Sequence, residues 1–139
     1  MKRFLTHGLP IGLGLILAII LLTNFGVTTV GGRSMNPTLA DGDLLLVSFT
    51  ATPKDGDMII LDTSDMEGWN NSSTQIVKRY YAEYSTDGYY VLGDNPDHSY
   101  DSRHFGEIDK DRLVGVVVCD LSNTDALGFV TAIITGIFH

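Results

Sequence analysis

The residues with the plainest chemical potential fall in three short clusters. The first is Gly31-Gly32-Arg33-Ser34-Met35-Asn36-Pro37-Thr38-Leu39, where two glycines precede one serine and a proline follows it three residues on. Glycine permits positive φ and the close approach of another chain, and Pro37 biases Asn36 toward an extended shape. The string therefore describes a tight backbone presenting one hydroxyl, although a plain linker has the same composition. The second is Lys78, within Gln75-Ile76-Val77-Lys78-Arg79-Tyr80-Tyr81, and the third is the polar run from Gly93 to Gly106.

A serine hydroxyl is a weak nucleophile and needs a base. Among the histidines, His7 precedes a long apolar run, His139 is the last residue, and His98 and His104 sit in a polar loop where rings are ordinarily solvated. Lysine is the other option. A lysine in a strand normally faces solvent; turned inward, its charged form is disfavoured and its pKa falls. A fall from about 10.4 to about 8 costs roughly 3 kcal/mol of stability. A neutral amine that can take a proton from serine gives that cost a use. In the third cluster the alternation Asp97, Ser99, Asp101 invites calcium, but Ser102 stands where an EF-hand loop needs glycine and Ile108 where it needs a bidentate glutamate. No metal and no cofactor are expected.

What must position these groups is a chain of 139 residues, enough for one domain and an appendage. Its 9 basic and 17 acidic side chains leave a net charge of −8, which argues against nucleic acid as a partner. With 44% hydrophobic residues it is too apolar to be disordered, and its one cysteine, Cys119, excludes an intrachain disulfide.

Between Phe4 and Gly32 there is no charged residue, and Ile11 to Leu22 is almost wholly aliphatic, with Lys2 and Arg3 before it. Residues 8–30 are long enough to cross a bilayer as a helix of about 20 residues. A transmembrane anchor is preferred to a cleavable signal or a buried helix. The tip, residues 1–7, is then cytoplasmic and the remainder lies on the exported face.

Residues 31–125 read differently. Leu44 to Phe49 follows Asp41-Gly42-Asp43, and Met58 to Leu61 follows Asp55-Gly56-Asp57. Gln75 to Tyr84 and Tyr89 to Leu92 flank an Asp-Gly hairpin signal at Asp87-Gly88, and Leu113 to Cys119 is rich in valine. Asp65 to Thr74 is a polar loop containing Trp69. The expected fold is mainly β, a small folded-over sheet or barrel. Residues 126–139 show apolar positions at helical spacing, a helix packed on the core or lying at the membrane interface.

In order and spacing, these clusters resemble type I signal peptidases, membrane-bound serine proteases with a Ser–Lys dyad. The match runs through Ser34-Met35-Asn36-Pro37-Thr38-Leu39 with Gly42-Asp43, then Lys78-Arg79, then Gly93-Asp94-Asn95 with Ser99, Asp101-Ser102-Arg103 and Phe105-Gly106. The resemblance implies Ser34 as nucleophile, Lys78 as general base and Ser99 as the hydroxyl that holds the lysine amine. It implies Asp101 and Arg103 as an ion pair bracing the loop, with Arg79 as a third member, and Met35 packed beside the lysine. The Ser34 backbone N–H is one oxyanion donor. Some members supply the other from a hydroxyl two residues earlier; here that position is Gly32, so a backbone group or water must serve. The implied partners are signal peptides of exported preproteins and membrane lipid. Small residues at the first and third positions before the cut would sit in pockets lined by Val30 and Val77. A processing peptidase for a single precursor, or an inactive membrane-tethered binding domain, are the competing expectations.

Overall fold

The computed structural model describes residues 2–66 and 74–137. Trp69 and most of its polar loop lie outside them. The described elements, in chain order, are helix α1 (Lys2–Asn24), strands β1 (Phe25–Thr29), β2 (Leu44–Ser48), β3 (Met58–Asp62), β4 (Gln75–Tyr80) and β5 (Val91–Leu92), helix α2 (Ser102–Phe105), strand β6 (Leu113–Asp120) and helix α3 (Ala126–Ile137).

The sheet is mainly antiparallel pairing of consecutive or folded-back segments, in the order β1-β2-β6-β3-β4-β5. Turn chemistry sets two of its strands. Gly42 and Gly56 both lie at positive φ (93° and 85°), the conformation glycine adopts without a Cβ penalty. In each turn the following aspartate closes back on the chain: Asp43 accepts from the Ala40 N–H at 2.7 Å and Asp57 from the Lys54 N–H at 2.8 Å. β2 and β3 start directly after these turns.

Strand alternation divides the core in two. Ile60 belongs with Val30, Met35, Leu39, Leu45, Val47 and Val117 on one side. Ile59 and Leu61 pack with Val91, Ile108 and Val116 on the other. The register breaks between Leu46 and Val47 and again between Ile60 and Leu61, irregularities that bend a sheet. The bend is large enough that the end of β1 and the start of β4, with three strands between them in the sheet, line the same cleft. The expected folded-over β architecture is therefore observed, as an open six-stranded sheet.

The N-terminal expectation needs correction. A helix is present, but it ends at Asn24, and the residues assigned to the far end of an anchor form β1. The cause is sequence context: Val27, Thr28 and Thr29 are β-branched and pair with Leu46, Leu45 and Leu44. Among the described residues no helix is long and apolar enough to cross a membrane. Along α1, Ile11, Leu13, Leu15, Ile16, Leu17, Ile19, Ile20 and Leu22 are all exposed, at positions distributed around the whole helix. At the other end of the chain, α3 packs on β6 and buries Ala132, while Val130 and Ile134 face outward.

Candidate active site

Lys78 is fixed by β4. It pairs with Ile59 across the β3–β4 ladder, and its side chain is only 4% exposed. Its neighbour β5 reaches only Arg79 and Tyr80, so residues 75–78 of β4 have no partner strand on that side among the described residues. The amine reaches over this open edge to the turn that carries Ser34. There Lys78 Nζ donates to Ser34 Oγ at 2.6 Å and to the Val77 carbonyl at 3.3 Å.

Burial pushes the Lys78 pKa from 10.5 down to about 8, against the opposing pull of Asp101 and Asp94. Taking an ammonium out of water disfavours its charge more than two carboxylates beyond hydrogen-bond range restore it. At pH 7, about one lysine in ten is then neutral. The arrangement can activate a hydroxyl.

The loop after β5 braces the pair. Asp101 is fully buried and accepts from the Gly93 N–H at 2.9 Å, the Ser99 hydroxyl at 2.6 Å, and Arg103 through Nε at 2.8 Å and Nη2 at 2.6 Å. Burial alone would raise its pKa; these donors more than reverse that and hold the carboxyl well below the usual range. Gly93 is small of necessity, since a Cβ there would stand 2.2 Å from Ser99 Oγ and 2.6 Å from the Ser34 carbonyl oxygen. Asp94 ties the two halves of the dyad together. It accepts from Thr38 Oγ1 at 2.5 Å, on the serine side, and from Arg79 at 2.8 and 2.6 Å, on the lysine side.

Several expected site residues are brought together and others are not. Ser34 and Lys78 meet, and the Asp101–Arg103 ion pair is present at 2.6 Å. Arg79 is not a third member of that pair. Successive strand residues point to opposite faces, so Arg79 leaves β4 away from Lys78 and binds Asp94 and the Gly56 carbonyl instead. Ser99 does not hold the amine; its hydroxyl is directed to Asp101. Met35 is buried in the core cluster against which Val77 packs. Gly32 is at φ 90° and its N–H is already donated to Asp41 at 2.8 Å, so it is not available to an oxyanion.

Beside the dyad lies a cleft of about 350 Å³, lined on one wall by Thr28, Thr29 and Gly31 to Ser34 and on the other by Gln75 to Lys78. Val77 lines it, as expected. Val30 does not: it is 5% exposed and belongs to the core. His98, set aside in the sequence as a solvated ring, lines the cleft, and so does Tyr100, which sequence reasoning missed and which stacks on His104 at 5.0 Å. Their loop has no periodicity that would have marked them. Among the described residues no group of His, Cys, Asp or Glu is placed to hold a metal ion.

A serine hydroxyl bonded to a buried, weakly basic lysine on a curled sheet defines the class, a serine peptidase of the Ser–Lys type. The chain belongs to the Peptidase S24-like family, whose model matches residues 20–118, from the end of α1 to the middle of β6. No curated protein matches the chain.

Proposed function

We propose that this peptidase is a type I signal peptidase, cutting N-terminal signal peptides from exported preproteins after small residues of the Ala-x-Ala kind. The observation that carries the reading is the 2.6 Å bond between Lys78 Nζ and Ser34 Oγ, ten residues after a helix whose side chains from Ile11 to Leu22 are largely exposed.

An extended substrate segment adds to the open edge of β4 at residues 75–78. Alternate side chains of an extended segment point the same way, so the first and third residues before the cut enter the cleft together. Its lining includes Leu45, Ile60, Ile76 and Val77 beside Thr28, Thr29 and Gln75, and its volume is about 350 Å³. Neutral Lys78 takes the Ser34 proton as Oγ attacks the scissile carbonyl. The oxyanion is met by the Ser34 N–H, and the lysine returns the proton to the leaving amine. Water, deprotonated by the same amine, then hydrolyses the acyl-enzyme.

Exposed aliphatic side chains from Ile11 to Leu22 of α1 favour burial of this helix in lipid, which would hold the catalytic domain at the membrane surface. The same dyad would serve a peptidase dedicated to one precursor, and this second reading is equally compatible with the Peptidase S24-like match.

One experiment separates the two. The full chain in lipid vesicles is given a panel of preproteins, and product termini are read by mass spectrometry. Cleavage of several preproteins at Ala-x-Ala sites, absent from Ser34→Ala and Lys78→Ala, is the expected result. Cleavage of a single precursor supports the second reading, and unchanged cleavage by either variant overturns both.

A further inference from the structure

Asn95 touches the nucleophile turn twice. Its backbone N–H donates to the Ser34 carbonyl at 2.9 Å, and its side-chain Nδ2 donates to the Arg33 carbonyl at 3.0 Å. The Arg33 carbonyl and the Ser34 N–H belong to one peptide unit. That unit is planar and trans, so its C=O and N–H point in opposite directions. A donor that holds the Arg33 oxygen on the side of the 93–95 loop therefore holds the Ser34 N–H away from it. Ser34 lines the cleft, and its N–H donates to no other described residue. The Ser34 carbonyl is held on the same loop side, 2.6 Å from where a Gly93 Cβ would stand. Two carbonyl oxygens that would repel a developing negative charge are thus both turned from the cleft.

We propose that Asn95 is a positioning residue, whose side-chain amide aims the Ser34 N–H at the oxyanion of the tetrahedral intermediate. The inference rests on Ser34 being the nucleophile. Asn95 touches no substrate; it acts through the Arg33–Ser34 peptide. The turn has one further brace at this point, the Asn36 N–H to the Arg33 carbonyl at 3.2 Å, which is longer and lies within the turn itself. Losing Nδ2 leaves the Ser34 N–H in place but free to tilt. The expected loss is below the 10²- to 10³-fold seen when an oxyanion donor is deleted outright, roughly 10- to 100-fold in kcat.

The test uses the full-length protein in lipid and compares wild type with Asn95→Ala, which keeps the backbone bond to Ser34. Two readouts are taken: kcat and KM on a preprotein, and the affinity of a peptide aldehyde. With the aldehyde, Ser34 Oγ bonds to the carbonyl carbon, the C=O π pair moves to the oxygen, and the hydroxyl proton passes to Lys78. Expected are a kcat lower by roughly 10- to 100-fold, KM within about twofold, and aldehyde binding weakened by the same factor as kcat. A raised KM with kcat and aldehyde affinity unchanged overturns the proposal. If Asn95→Ala does not fold, Asn95→Asp, similar in shape but without the donor, is measured the same way. Wild type that binds the aldehyde but cuts no preprotein refutes the signal-peptidase reading and leaves Asn95 to be judged by aldehyde affinity. Wild type that does neither overturns both.

Discussion

Replacing Lys78 with methionine should make the protein inactive and, at neutral pH, more stable. The lysine pKa falls from 10.5 in the unfolded chain to about 8 in the folded one, chiefly through burial. At about 1.36 kcal/mol per pKa unit, the folded state bears about 3 kcal/mol for its charged amine. Below pH 8 both states hold the proton and the whole cost is present. Between about 8 and 10.5 the unfolded chain keeps a proton that the folded chain has released, so stability rises with pH; above 10.5 the cost is gone. Methionine fills a similar volume without charge and gives up the bond to Ser34, worth about 1 kcal/mol. The net expectation at pH 7 is a gain of roughly 2 kcal/mol, a urea midpoint about 1–2 M higher. At pH 10.5 the advantage should vanish. Urea unfolding of both proteins at the two pH values reads this directly, and other titrating groups cancel in the difference. If Lys78→Met is less stable than wild type at pH 7, or the difference does not depend on pH, the amine is not carrying a desolvation cost.

Four other outcomes can be measured. Cleavage should rise about tenfold per pH unit below the Lys78 pKa of about 8 and level off above it; a flat profile between pH 6 and pH 10 counts against a lysine base. Gly93→Ala, which forces a Cβ to within 2.2 Å of Ser99 Oγ, should destabilise by roughly 1–3 kcal/mol and depress kcat, seen in urea melts and turnover together. Asp101→Asn weakens the hydrogen bonds that this buried carboxylate accepts from Gly93, Ser99 and the partly exposed Arg103, so roughly 1–3 kcal/mol of stability should be lost; the pH–rate midpoint should also move down, because a carboxylate that favoured charged Lys78 is gone. Ser99→Ala should cost turnover rather than substrate binding, and act in the same direction as Asp101→Asn; an effect on KM alone would remove Ser99 from the support of the dyad.

The chemistry was more legible than the scaffold. Ser34 and Lys78 lie 44 positions apart, yet each has a local signature, glycines and proline around the hydroxyl and a lysine set between Ile76-Val77 and Arg79-Tyr80 in a strand-like run. Asp101 and Arg103 are neighbours in sequence, so their pairing could be expected from the motif. What could not be read is partner choice over distance. Arg79 binds Asp94 and Ser99 turns to Asp101 because strand alternation and loop path set the directions, and neither is written in a motif. The start of β1 was hidden for a related reason. Phe25 to Thr29 is apolar enough to pass for the end of a membrane helix, and only β2, across Asp41-Gly42-Asp43, makes a strand of it. Val30, just past the end of β1, is core and not pocket lining, because the chain there turns its side chain in among Met35, Leu39 and Leu45.

The shortness of β5 has a further effect. A peptide can dock beside Lys78 only by lending its own amides and carbonyls to the bare margin of β4. A polypeptide already wound into helices or laid into its own sheets has those groups engaged and cannot offer them. Selectivity for nascent, unstructured segments would then come from geometry alone, before any side chain is inspected. Four more ladder pairs in β5, reaching back to Gln75, would close the margin to any docking segment.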